Sequence, residues 1–273
     1  LIPCFVEPQF LHPHNKEVDK WNAVRLEELK EVAWDFSAEY ERNNKKKALS
    51  VARDVLEKYD ENNNKVLERI EQACPVSHEM ALKVGAQVML VRNLCVTGGL
   101  VNGSRGIVTA IRPMTAADLK ENDWKVGLSS VLVLDLQRKT NITIGNAPLV
   151  WVQFERLPKS VPIGRYEWKQ PYELSDLQRP DTEWASYVSM RQIPLILSWA
   201  MTIHKAQGLT LDSAYLYLGN KVSTPHQAYV ALSRVRTWEG LYLHTFDIKA
   251  FRTSEEHSKF DSFLEDLPET FPK

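Results

Sequence analysis

Apolar positions near the start of the chain recur at helical spacing. Val18, Trp21, Leu29, Val32 and Phe36 fall near one face among charged neighbours, which predicts an amphipathic packing helix over residues 15–42. From 43 to 75 the sequence turns polar, with Lys45-Lys46-Lys47 and Asn62-Asn63-Asn64, and predicts a surface excursion with some helix. At Lys83-Val84-Gly85 the period changes to two. Short runs at 86–91, 106–111, 131–136, 141–144 and 150–154, separated by turn residues, predict the strands of a small antiparallel barrel. The run VLVLDL at 131–136 ends on Asp135 with no second carboxylate after it, so Asp135 reads as a strand residue rather than a metal ligand. Residues 155–192 carry Tyr166, Trp168, Tyr172, Trp184 and Tyr187 among prolines and read as an ordered extension whose rings pack.

The last third has another rhythm. IPLILSWA, 193–200, is a continuous apolar run of the kind a buried parallel strand needs, and a second such run occupies 214–218. Between them lies TIHKAQG. Ligands bind at the C-terminal ends of parallel strands, and here Thr202, His204 and Lys205 offer hydroxyl, imidazole and ammonium donors to phosphodiester oxygens. Gln207 and Gly208 add an amide and a bare backbone one turn further on. In STPHQAYVALSRVR, Thr224 as cap, Pro225 at the first helical position and Gln227 three residues after the cap predict a helix start. Tyr229, Leu232 and Val235 would form its apolar stripe, and Gln227, Ala231 and Arg234 a second face suited to holding an anion.

Composition narrows the chemistry. With 34 Lys plus Arg against 35 Asp plus Glu, the net charge of −1 supplies no general basic field, so any nucleic-acid site has to be a local groove. Cys4, Cys74 and Cys95 are odd in number and lack C-x-x-C spacing, which points to a reducing, intracellular compartment and away from a disulfide framework or zinc site. His12-Pro-His14 has no further ligands clustered with it in sequence, so no metal site is expected. No apolar run approaches the roughly 18 residues that span a bilayer, and no membrane association is expected.

GGLVNGSR, 98–105, places Gly98 and Gly103 at the G-x-x-x-x-G spacing of a phosphate-binding loop, but Ser104 and Arg105 follow where Lys and Ser or Thr are required. It lies between two strand runs rather than between a strand and a helix, so it reads as a turn with Asn102-Gly103 at its tip. No glycine in the chain is followed by lysine. The chain is therefore not expected to hydrolyse nucleotide unaided.

TIHKAQGLTL and QAYVALSRV resemble helicase motifs V and VI of superfamily one, and LKVGAQVMLVRN with LVNGSRGIV resembles the Pif family of 5′-to-3′ DNA helicases; FLHPHNKEVDKWN is similar to the opening of that family's second motor domain. The resemblance implies an α/β fold: a second RecA-like motor domain, a parallel sheet with helices, over 1–84 and 193–273, interrupted at 85–192 by a small Src-homology-3-like β-barrel with its aromatic and proline-rich extension. It implies ATP and Mg2+ as cofactors. The phosphate-loop lysine and the Mg2+ ligands would belong to a preceding N-terminal RecA-like domain. It implies Arg234 as the arginine finger, Gln207 and Gly208 at the edge of the ATP site, and Thr202, His204, Lys205, Asn102 and Arg105 on DNA. Single-stranded, forked or structured DNA would be the partners, in the nucleus or mitochondrion of a eukaryote. A stand-alone single-strand-binding module and a scaffold derived from a helicase are the alternative readings.

Overall fold

The computed structural model describes residues 6–44, 47–50, 66–115, 118, 130–140, 142, 147–171, 186–222 and 224–251. The chain divides into two compact units, one built from 7–25 and 198–273 and the other from 1–6 and 26–197.

The first unit is a four-stranded sheet with β1 (Gln9–His12) inside it. β1 pairs in parallel with β13 (Ala200–Thr202) on one side and β14 (Ala214–Leu218) on the other, and β15 (Leu241–Phe246) extends the sheet in parallel beyond β14. The inner strands bury their apolar residues, and Leu11, Ala214, Leu216 and Leu218 have no exposed surface, whereas Tyr215 of β14 and Tyr242, Leu243 and Phe246 of β15 are exposed. Helix α1 (Asn15–Glu28) packs Val18 against Phe10 and Ala200, with Trp21 stacked on Phe10. Asn22 of α1 extends two hydrogen bonds to the backbone of Ala200, accepting at 2.9 Å and donating at 3.0 Å. This side chain takes the place of another strand at the sheet edge and satisfies groups that would otherwise lie open.

The second unit is antiparallel. One sheet runs β12 (Leu195–Leu197), β6 (Gln87–Leu90), β7 (Arg105–Arg112), β8 (Leu149–Phe154), β9 (Val161–Ile163). A second runs β10 (Tyr166–Pro171), β11 (Ser186–Gln192), β3 (Glu39–Asn44), β4 (Lys47–Ser50), and a hairpin-like pair joins β2 (Trp34–Ser37) to β5 (Glu79–Leu82). Helix α2 (Val66–Ala73) lies against β10 and β11, and its Val66, Leu67 and Ile70 join Tyr40, Trp168, Val188 and Met190 in one core.

Several expectations change. The helix expected over 15–42 stops at Glu28, because Trp34, Phe36, Ala38 and Tyr40 alternate with polar residues, and that period of two wins: Phe36 and Tyr40 are buried from strands. VLVLDL is not a strand. It lies in helix α3 (Ser130–Lys139), where Leu132, Val133 and Leu136 are buried, Asp135 and Lys139 pair across one turn, and Arg138 and Lys139 suit the C-terminal end. IPLILSWA is split rather than continuous: its Leu195–Leu197 bonds antiparallel to β6 in one unit, and Ala200 begins a parallel strand in the other. Residues 26–84, grouped with the parallel sheet by the resemblance, supply β2 to β5 and α2, which cluster with the antiparallel strands. Of the expected strand at 141–144 only Ile142 is described, and it is buried; the rest of that stretch, like Tyr172 and Trp184, lies outside the described residues.

Candidate nucleotide and nucleic-acid site

Parallel strands put their C-terminal ends on one edge, where ligands collect. In the first unit β1 and β13 end together, with His12 opposite Thr202. Thr202 starts a tight turn. Its hydroxyl accepts the Lys205 N–H (3.3 Å) and its carbonyl the Ala206 N–H (3.1 Å), the pattern by which a threonine caps a helical turn. Ile203 and Ala206 are buried beneath the turn, whereas His204, Lys205, Gln207 and Gly208 face solvent. Thr202 itself is only 4% exposed, so its contribution is to shape the turn, and the presentable donors are His204 and Lys205. Gly208 closes the turn at φ +79°, a left-handed conformation that a side chain would strain even though nothing crowds the position. His12, on the same edge, is buried. Its Nδ1 accepts the His14 N–H at 3.1 Å, and burial holds its pKa below the ordinary value.

Residues 203–211 then cross from this edge to the opposite one. Leu211 precedes β14, at the N-terminal edge of the sheet, and bridges in parallel to Val235: its N–H donates to the Arg234 carbonyl (2.8 Å) and its carbonyl accepts from Arg236 N–H (2.9 Å). Arg234 follows helix α4 (Gln227–Leu232), which buries Gln227, Ala228 and Ala231. Its Nε donates to the Val230 carbonyl (3.1 Å), Nη1 to the Leu209 carbonyl (3.3 Å) and Nη2 to the Ser233 hydroxyl (2.9 Å). All three acceptors are uncharged. A guanidinium has five N–H groups, so this one is positioned by three neutral contacts, keeps its charge uncompensated among the described residues, and has donors left for an anion.

The helix start differs from the one read in sequence. His226, at φ +64°, holds the cap position with no side-chain cap bond, and Thr224 serves only through its carbonyl, which accepts the Gln227 N–H at 3.3 Å. Helix geometry ends at Leu232, so Arg234 is set by the turn after the helix, not by an i+7 face, and Tyr229 is exposed rather than part of a packed stripe.

Asn102 and Arg105 lie in the other unit. Asn102 is exposed at the turn tip. The Arg105 side chain is 4% exposed and its Nη2 meets Glu155 Oε1 at 3.0 Å, so the fold matches this charge internally and leaves little of it at the surface. Every backbone N–H from Gly98 to Ser104 already has an acceptor: Cys95 Sγ, Val96 O, Cys95 O, Ser104 Oγ, Asn93 Oδ1, Leu90 O and Val101 O in order. A phosphate cradle needs such amides free; this loop spends them on its own turn. His12, which parallel pairing with Thr202 brings to this edge, is not among the residues that the motif resemblance assigns to the site.

The four strands of the first unit pair in parallel throughout. The fold resembles that of the crystal structure of Pif1 helicase from Candida albicans, with a TM-score of 0.64 at 24% identity over 95% of this chain and 50% of that one. It also resembles Bacteroides Pif1 bound to ssDNA, with a TM-score of 0.54 at 22% identity over 95% and 46%. The family model "DNA helicase Pif1, 2B domain" matches residues 65–111, starting some twenty residues before the expected insert boundary. The ATP-dependent DNA helicase PIF1 of Homo sapiens is 35% identical over 192 residues, covering 70% of this chain and 23% of that protein; its counterpart in Emericella nidulans is 30% identical over 259 residues, covering 89% and 31%. The chain is a relative of the Pif1 DNA helicases and spans about a quarter of the length of those it matches.

Proposed function

We propose that this chain is the second motor half of an ATP-dependent, 5′-to-3′ DNA helicase. Arg234 is its arginine finger, and the observation that carries the reading is the guanidinium held by three neutral acceptors at the sheet edge opposite His204 and Lys205. Gln207 and Gly208 line the nucleotide side of the crossing segment. His204 and Lys205 grip the single-stranded backbone, with Thr202 shaping their turn; Asn102, in the inserted, Src-homology-3-like unit, is proposed separately as a DNA contact. ATP fits this chain through Arg234. Mg2+ and the phosphate-loop lysine are assigned to a preceding RecA-like domain, because the sequence contains no glycine followed by lysine. ATP supplies the phosphoryl-transfer chemistry when bound, and this chain contributes positioning and charge stabilisation. Closure of a two-domain motor on nucleotide would displace the His204 surface along DNA.

The test compares the chain alone with the chain joined to a first motor domain. Alone it should turn over no ATP above background. Joined, it should show DNA-stimulated turnover and unwind a forked duplex with a 5′ tail. ATP turnover by the isolated chain that Arg234→Ala abolishes would sink the reading.

A further inference from the structure

Four residues beyond Arg234 stands the most exposed large apolar side chain among the described residues: Trp238, 82% exposed. A single exposed tryptophan is unremarkable on a loose loop, but this one is mounted rigidly. It opens a one-turn 3-10 helix, Trp238–Gly240. On one side of it, Arg236 N–H donates to the Leu211 carbonyl (2.9 Å) and the Arg236 guanidinium pairs with Asp212 at 3.1 Å. On the other, Gly240 packs so closely on the Asp212 carbonyl that a Cβ would stand 2.0 Å from that oxygen, and β15 begins its pairing with Ala214 in the next residue. The turn is clamped to 211–214 before and after the ring, so the indole is held out at little further cost in conformational freedom.

Charge runs in order along this edge. Arg234 has no carboxylate partner among the described residues. Arg236 is neutralised by Asp212. Glu239, next to Trp238, is exposed, and its own backbone N–H and the Thr237 hydroxyl hold its carboxyl below the usual range. A polyanion would meet repulsion at the Glu239 end. A nucleotide, anionic at one end with an aromatic base and hydroxyl or amino donors at the other, matches the whole series. Four residues keep the two Cα atoms within about 14 Å, a span that two long side chains and a nucleoside triphosphate can bridge.

We infer that Trp238 is the stacking platform for the base of the nucleotide whose phosphates meet Arg234, with Glu239 accepting from its sugar or base. This rests on the reading of Arg234 as the phosphate contact.

The 273-residue chain is titrated by ligand-detected NMR with two probes, ATP and tripolyphosphate, which shares the anion but lacks the base. ATP should bind about tenfold or more tighter than tripolyphosphate, in keeping with stacking on an aromatic ring. Trp238→Ala should erase that difference, Trp238→Phe should keep most of it, and Arg234→Ala should weaken both probes. Since Trp238 packs on little, its substitution leaves the fold intact. Equal binding of ATP and tripolyphosphate, or a Trp238→Ala chain with unchanged ATP affinity, overturns the platform and leaves the Arg234 reading standing. Failure of tripolyphosphate to bind at all removes the Arg234 reading and the platform with it. Loss of single-strand binding in Trp238→Ala with ATP unaffected would give the ring to DNA and overturn the inference.

Discussion

Arg105 and Arg234 are both arginines beside a polar turn, and the fold treats them oppositely. Arg105 starts strand β7, is buried, and meets the Glu155 carboxylate. Arg234 follows a short helix, is half-buried, and touches only carbonyls and a hydroxyl. The first charge is matched inside the protein and has structural work; the second is oriented but unmatched and is available to an anion. Charge compensation, which sequence spacing does not reveal, separates the two.

The sharpest way to break this contrast is Arg234→Ala in a motor joined to its first domain. If the guanidinium stabilises charge on the transferring phosphoryl group, DNA-stimulated ATPase should fall by about 10³ to 10⁵, while single-strand affinity barely moves. Arg234→Lys should rescue poorly, because an ammonium lacks the planar two-pronged donor set. A variant that lost DNA binding and kept turnover would show that the two edges of the sheet have been assigned the wrong way round.

The Arg105 side of the contrast predicts a stability effect. Glu155→Gln strips a buried guanidinium of its carboxylate partner and should lower stability by about 2 kcal/mol, below the 3–5 expected of fully buried pairs, because the Glu155 side chain is 32% exposed. Arg105→Met, which removes the charge that needed a partner, should cost less than Glu155→Gln in urea unfolding. Single-strand affinity should be unchanged in both. A weakened DNA complex in Arg105→Met with normal stability would return this residue to the nucleic-acid surface.

A smaller effect is expected at the opposite sheet edge. His204→Ala with Lys205→Ala should weaken single-strand binding, and the loss of the Lys205 ammonium should flatten its log–log salt dependence by about 0.7, the slope of one phosphate contact on a single strand. Maximal ATPase should fall much less than in Arg234→Ala. An unchanged salt slope in fluorescence anisotropy would leave these side chains without a role on DNA.

Legibility from sequence followed the length of the signal. The strands at Gln87–Leu90, Arg105–Arg112, Leu149–Phe154 and Ala214–Leu218 were readable because each carries its own period and is bounded by turn residues. VLVLDL was not: six apolar-rich residues fit a buried strand or a helix stripe equally, and the deciding contacts are tertiary, with Leu132 against the Gly98 turn and Lys139 Nζ donating to the Leu94 carbonyl at 2.7 Å. Phe36 fits a helix face by spacing alone, but Trp34-Asp35-Phe36-Ser37 alternates and the helix before it ends at Glu28. Within the candidate site, Arg234, His204 and Lys205 are proposed on motif resemblance, and the structure adds the partners and exposure of each. The clamping of Trp238 was not, since it depends on Gly240 meeting Asp212 across twenty-eight positions of chain.

The smallest expected effect concerns His12, the buried imidazole beside Thr202. Burial lowers its pKa first, and the charges of Lys221 and His14 push the same way, while the Glu17 carboxylate opposes them. The folded state therefore favours the neutral ring, and the unfolded chain, titrating near the ordinary 6.5, binds a proton more readily. Wherever the unfolded state binds more protons, stability rises with pH. The contribution of His12 is complete above about 6.5 and declines as the pH falls from there towards its lower folded value. One proton changes stability by at most about 1.4 kcal/mol per pH unit, so the melting temperature should drop by no more than roughly 2–4 °C per unit through that window. His12→Asn keeps an acceptor for the His14 N–H and removes the titration, so its melting temperature should vary less between pH 7.5 and 5.5 than that of the parent chain. Equal slopes in the two chains would show that His12 takes up its proton in the folded state as easily as in the unfolded one, and that the C-terminal edge is more open to water than its burial implies.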